Sequence, residues 1–366
     1  LKNQSLLFIS VAFIISHTYA APDDLFLQAT PAKNKLTTNV SLDLVNDTVD
    51  FLDIRESEGV QGDSGDYIGT HINAQYQFHP EWSINADYWR REIEFGKDTN
   101  KLNSGALGIT YFPASLSTDR SNLAFKLSFW GNQADELAKT SPTNVNGRTI
   151  NEVVVSNPRD TQIQLDTIYT HKIDFMNQVN LFGSLGYSKV KVDALDLMVH
   201  LTGDGRDCKA NININSNNQL TGTPIGQCII DGLIVHDIDI GNYADRFDLD
   251  IQKDLNYDSY YASLGGSWNW RYKQFESQLA YQYQRFWRDN IDDRVSNFGN
   301  QAIKDNHTIG AKFSYDFTPK LTAYLQGQIF QNNLIGYVPF IYNGVTASRL
   351  DKRYGLASIG IQYHGF

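Results

Sequence analysis

The stretch "YIGTHINAQYQFHPEWSINADYW", residues 67–89, alternates apolar and polar side chains and is broken once. Ile68, Thr70, Ile72, Ala74, Tyr76 and Phe78 fall on one side of an extended chain, with His71, Asn73, Gln75 and Gln77 on the other. After "HPE" at 79–81 the alternation restarts. Trp82, Ile84, Ala86 and Tyr88 then oppose Asn85, Asp87 and, further on, Arg91. Period two over about ten residues is the length a tilted strand needs to cross a bilayer. The stretch reads as two such strands joined by a tight turn.

The pattern recurs in "KLTTNVSLDLV" (35–45), "NLAFKLSF" (122–129) and "NQVNLFGSLGY" (177–187). It continues through Tyr260–Trp270, Phe275–Tyr283, His307–Phe317, Leu321–Ile329 and the closing "ASIGIQYHGF" (357–366). Connections at 79–81, 271–274 and 317–320 are tight, whereas those at about 47–64, 96–103, 132–158, 191–256, 289–303 and 334–352 are long. Short and long connections alternate, which collects all short turns at one end. The expected fold is all-β: a transmembrane antiparallel β-barrel over 35–366 with about 12 strands, or 14 if the 191–256 insert adds two. "DALDLMVHL" and "CIIDGLIVHDIDI" in that insert are strand-like. No turn chemistry separates Tyr187 from Leu195, which favours a hairpin outside the barrel wall, lying partly over the lumen.

This arrangement resembles that of Gram-negative outer-membrane β-barrel proteins. So does the final strand, where Ala357, Ile359, Ile361 and Tyr363 share one face ahead of Phe366, which itself falls on the other parity. The resemblance implies short periplasmic turns, long extracellular loops and a site in the outer membrane. It also implies lipid and lipopolysaccharide as surroundings, and barrel-assembly machinery that recognises the terminal strand. The last strand is expected to pair with the first, which removes both edges. "LKNQSLLFISVAFIISHTYA" reads as a signal peptide over 1–20: one lysine, a short apolar core, then small residues. Residues 21–34 are left as a periplasmic N-terminal segment.

The formal charge of -10 argues against a nucleic-acid partner. Cys208 and Cys228, alone in an exported chain, are expected to form a disulfide within the insert. An acidic run containing Asp237, Asp239 and Asp245 could supply hard oxygen ligands to a structural Ca²⁺ or form a solvated face. No other cofactor is expected, since neither CxxC nor HExxH occurs.

The inward parity is rich in amides, with charges of both signs. Its candidate lumen-lining residues are His71, Asn73, Gln75, Asn85, Asp87, Arg91, Lys126, Asp166, Glu276, Gln278, Lys312 and Gln326. Such a wall offers donors and acceptors to small polar solutes rather than selecting one sign of ion. The expected function is therefore passive or semi-selective passage. The alternative is a non-conducting barrel, filled with side chains, that serves surface assembly or polysaccharide export. An outer-membrane hydrolase is disfavoured. His71, His79, His171, His200, His236, His307 and His364 all lack the serine two positions on that outer-membrane phospholipases use. His236 with Asp237 and Asp239, and Asn46-Asp47, echo other barrel hydrolases only as short fragments and read as solvated loop.

Overall fold

The computed structural model describes residues 24–31, 35–45, 54, 66–95, 98–139, 143–145, 148–203, 206–240, 250–298, 301–344 and 346–365. The leader at 1–20, Asn46-Asp47, Asp245 and Phe366 lie outside these residues.

Among the described residues, twelve antiparallel strands close into a barrel. They are Leu36–Val45, Tyr67–His79, Trp82–Phe95, Asp98–Tyr111, Ser121–Ala134, Arg159–Lys172, Asn177–Lys191, Tyr257–Tyr272, Phe275–Arg288, Asp305–Thr318, Leu321–Phe330 and Tyr354–His364. The first strand pairs with the twelfth, Val40 opposite Ile361 and Leu42 opposite Ile359, so neither edge is left open. One expected loop is strand instead. The third and fourth strands stay paired out to Phe95 opposite Asp98, so 98–103 belongs to the wall. "DTNKLNS" is polar on both parities apart from Leu102, which mimics a loop, but Leu102 and Ser104 are buried inside the barrel.

Period-two alternation puts the apolar parity outside. Leu107, Leu165, Leu185, Leu264, Leu279, Phe313, Leu325 and Ile359 are exposed on the outer surface. Towards the short turns the same surface carries Tyr76, Phe78, Trp268, Phe275, Phe317 and Tyr363; towards the long loops it carries Tyr88, Phe129, Tyr260, Tyr281 and Trp287. An apolar belt between two aromatic girdles is the surface a bilayer requires.

The 191–256 insert does not enter the barrel wall. Its strands Ala194–Gly203, Arg206–Asn215, Leu220–Pro224, Ile229–Ile230, Leu233–Ile234 and Ile238–Ile240 join Glu136–Lys139, Thr143–Val145 and Arg148–Ser156 in a second, nine-stranded sheet. Leu195, Leu197, Val199, Ala210, Ile214, Leu220, Ile251 and Leu255 bury one face of it. Cys208 and Cys228 are bonded within that core, 20 positions apart. In the chain-entropy picture a loop of this length contributes about 3 kcal/mol. Replacing both cysteines by serine is therefore expected to make this sheet sensitive to limited proteolysis while the barrel keeps its heat-resistant mobility. Equal protease protection in the double mutant would show that the staple contributes little.

The side chains that fill the barrel at its long-loop end come from elsewhere. Ile291, Val295 and Ile303 lie between the ninth and tenth strands; Leu334, Ile335, Val338, Phe340, Tyr342, Ala347 and Leu350 lie between the eleventh and twelfth. They pack on inward-facing Tyr67, Trp89, Trp130, Tyr261, Phe286 and Phe330 in one buried cluster. At the short-turn end residues 25–29, part of the segment read as periplasmic over 21–34, are inside the barrel. Leu25 and Phe26 pack on Ala280, and Leu27 and Ala29 pack with Phe112, Ala124, Ile168 and Phe182.

Candidate functional site

All twelve candidate lining residues sit on the inward parity, on seven of the strands. The register brings them together in groups. Asp87 accepts hydrogen bonds from Asn73 (2.6 Å) and Asn85 (2.8 Å), and His71 Nε2 lies 3.3 Å from its carboxylate. Gln75 donates to Ser83 at 3.3 Å. Lys126 stands directly opposite Asp166 on the neighbouring strand, and Gln164 donates to Asp166 at 2.6 Å. Glu276 accepts from Gln278 (2.5 Å) and lies 3.6 Å from Arg271. Lys312, opposite Gln326 in register, holds its ammonium 4.3 Å from the Tyr324 ring centroid. Each of these charges thus has an opposite charge, an amide or an aromatic face near it, which offsets its burial.

Arg91 differs from the rest. It is fully buried, and its guanidinium lies 4.2 Å above Trp89. It donates to Ser104 and, at 2.7 Å, to Asn132 Oδ1. The Asn132 amide donates in turn to both oxygens of Asp160 (2.9 and 3.0 Å) and to the Tyr337 carbonyl (2.8 Å). Arg91 therefore ends the polar wall where the inward loop begins.

That loop is pinned along its length. Asn332 donates to the Asp305 carbonyl (2.6 Å), Tyr257 to the Pro339 carbonyl (2.6 Å) and Tyr342 to Asp292 (2.8 Å). The Arg288 guanidinium lies 3.9 Å above Tyr342. Burial, with Asp292 beside it, pushes the Tyr342 phenol well above its ordinary range, so this hydroxyl stays a donor. Asp254 links the loop to the outer sheet. Its carbonyl accepts from Gly344 (3.3 Å), its carboxylate pairs with Arg294, and neighbouring Ile251 and Leu255 belong to the sheet's core.

Exposure divides the lumen lengthwise. Asn39, His71, Asn73, Gln75, Gln77, Asn85, Lys312 and Gln362 are half-buried and form a polar strip on strands one to three, ten and twelve. On the opposite wall Gln164, Asp166, Asn180, Ser184, Ser267, Asn269 and Gln278 are buried, beside the inserted segment 25–29. These half-buried side chains lie between the short-turn end and Arg91, interspersed with buried inward residues such as Ser41, Ser83, Gln326 and Ser358.

No protein-family model and no curated protein sequence matches the chain. Among solved structures it is similar to the KdgM porin in complex with disordered oligogalacturonate, at 6% identity over 89% of this chain and 98% of that one, with a TM-score of 0.38. It is similar to the translocator domain of the autotransporter NalP from Neisseria meningitidis (9% identity, 90% and 87% covered, TM-score 0.43). The CymD monoaromatic hydrocarbon channel is a third likeness (9% identity, 92% and 89% covered, TM-score 0.34). The chain folds as a closed, twelve-stranded antiparallel β-barrel with an apolar outer surface. Its closed wall satisfies every strand edge internally, and its outer belt is the apolar parity of that wall.

The outer sheet carries a cleft of about 620 Å³ lined by Glu152, Asp196, Met198, Asn211, Asn213, Thr221, Asp237 and Asp239, among others. Asp237 and Asp239, two of the three calcium candidates, line this cleft, Asp239 on the strand Ile238–Ile240 and Asp237 just before it. Among the described residues no three acids, histidines or cysteines converge as a metal-ligand set. Where the sheet joins the barrel, Arg159 grips Asp193 through both nitrogens at 2.8 and 2.9 Å. Those bonds hold the Asp193 carboxyl below its usual range. The stabilisation is complete above the ordinary carboxylate range and is lost as pH falls through the lowered pKa. Both side chains are two-fifths or more exposed, so the pair is worth less than about 1 kcal/mol.

Proposed function

We propose that this protein is a channel for small polar solutes, held closed in this conformation by its own inward loop. The half-buried polar strip that climbs the lumen from Gln77 past Asn73 and His71 to Asp87 carries this reading. Amides and a balanced set of charges exchange hydrogen bonds with neutral solutes such as sugars or nucleosides without selecting strongly for one sign of ion. Above the strip, Leu334, Ile335, Val338, Phe340, Tyr342, Ala347 and Leu350 fill the mouth, and the attachment of their loop through Gly344 and Asp254 couples it to the outer sheet. With the long loops outward, the sheet faces the cell exterior and the short turns face the periplasm. Lipid, lipopolysaccharide and the barrel-assembly machinery complete the expected partners, and no catalytic role is proposed.

Planar-bilayer recording tests this. The parent is expected to show few unitary openings. A folded variant in which residues 335–345 are replaced by a short polar linker is expected to conduct steadily, with current reduced by added neutral sugar or nucleoside. A folded variant as silent as the parent would favour the second reading, a non-conducting barrel that displays the outer sheet. The observation behind that second reading is the sheet's own disulfide-stapled core and polar cleft.

A further inference from the structure

Below the inward-facing aromatic cluster at its long-loop end, the inner wall departs from its polar pattern along a second line. Ala124, Ile168, Phe182 and Gly265 occupy four consecutive strands, each registered opposite the next. Ala280 and Gly310 are registered opposite each other on the next two strands. All six positions face inward, where the same strands otherwise present Lys126, Gln164, Asp166, Asn180, Gln278 and Lys312. A run of small and apolar residues on an otherwise hydrophilic wall needs something apolar to cover it.

Residues 25–29 supply the cover. Leu25 and Ala29 are fully buried and Phe26 and Leu27 nearly so, Leu25 and Phe26 over Ala280, and Leu27 and Ala29 over Ala124, Ile168 and Phe182. Gly310 fits the same contact closely: a methyl group there would overlap the Leu25 side chain and come within 3.1 Å of Phe26 Cζ. Two polar bonds fix the alignment. The Ala29 backbone N–H donates to Thr170 Oγ1 at 2.8 Å, and Gln178 donates to Gln28 Oε1 at 3.2 Å. The Lys312 ammonium lies 5.9 Å from the Phe26 ring centroid. These contacts span strands five to ten, so the segment runs along that side of the lumen.

We infer that this line is a docking track for an apolar segment, and that the chain's own residues 25–29 occupy it as a releasable plug at the short-turn end. The segment lies beside the polar strip and narrows it. It is held by apolar side chains and two hydrogen bonds, with no ladder pairing to the wall among the described residues, so it can leave without opening the barrel. What it gates rests on the channel reading. Whether it docks does not, and the two are measured separately.

The test uses Ala280→Cys as a reporter beneath Leu25 and Phe26, since both native cysteines are bonded to each other. Its rate of reaction with a water-soluble maleimide is compared in three backgrounds: the parent sequence, a deletion of residues 24–31, and Gly310→Leu, which fills the Leu25 seat in an intact chain. Heat-modifiable mobility confirms that each barrel is folded. Labelling is expected to accelerate about tenfold or more in both variants, as local protection is lost. Bilayer conductance, recorded in the loop-opened background described above, is expected to rise with the deletion. Unchanged labelling in folded variants would overturn the docking. Faster labelling with unchanged conductance in a background that conducts would make the segment a brace and overturn the plug. A loop-opened background that never conducts would instead refute the channel reading and leave the labelling result to decide the docking.

Discussion

Leu279→Arg is expected to destabilise the folded barrel by roughly 2–4 kcal/mol, the cost of an arginine on the lipid face near mid-bilayer. Leu279 is outward on the ninth strand, 48% exposed to the surroundings, and its inward neighbours Gln278 and Ala280 are buried. The same substitution at Phe175, in a short turn and 91% exposed, is expected to change stability by no more than about 0.5 kcal/mol, because no hydrocarbon surrounds it. Urea-induced unfolding in phospholipid vesicles measures both. Equal costs at the two sites would mean that Leu279 does not face hydrocarbon.

Arg91→Met is expected to cost about 3–5 kcal/mol, since removing one member of a buried charged network leaves its partners without compensation. The Arg91 guanidinium supports Asn132, which holds Asp160 and the Tyr337 carbonyl of the inward loop. The loss should therefore appear both as a lower unfolding midpoint and as faster proteolysis of 331–353. Arg90 is the control. It is the next residue, points outward, is 56% exposed in its side chain and pairs loosely with Glu92 at 3.4 Å, so Arg90→Met should cost less than about 1 kcal/mol. Similar effects for the two arginines would remove the reason for placing Arg91 inside.

The wall of the barrel was legible because strand parity is a local property. Each side chain's face follows from its neighbours two positions away, and that is how Ile72, Leu165 and Leu279 separate from Asn73, Gln164 and Gln278. What fills the barrel was harder to read, because packing between segments distant in sequence decides it. The signal was nonetheless present. Tyr67, Trp89, Trp130, Tyr261, Phe286 and Phe330 are inward by parity, so the long-loop halves of their strands carry large apolar rings on the inward face as well as on the outward one. Strands that are apolar on both faces are covered on both faces. The loop "NLIGYVPFIYNG" (333–344) is too apolar for a solvated connection, and it is the cover. "LFLQA" at 25–29 is its counterpart at the other end. The polar strand ends near 98–103 misled in the opposite sense, since a wall that rises above the belt needs no apolar parity. The nine-stranded sheet combines two separate connections, a pairing that neither sequence segment announces alone.

Tryptophan placement offers the most direct test of the barrel's inside and outside. Trp268 and Trp287 are exposed on the outer surface in the two aromatic girdles, whereas Trp89 and Trp130 are buried within. Variants that each retain one of these four, with the other tryptophans changed to phenylalanine, can be folded into vesicles of brominated phosphatidylcholine. Bromine on the acyl chains quenches only indoles that touch lipid. Strong quenching of Trp268 and Trp287 with Trp89 and Trp130 protected is the predicted result. Quenching of Trp89 and Trp130 with Trp268 and Trp287 spared would contradict the assigned faces and, with them, the transmembrane barrel.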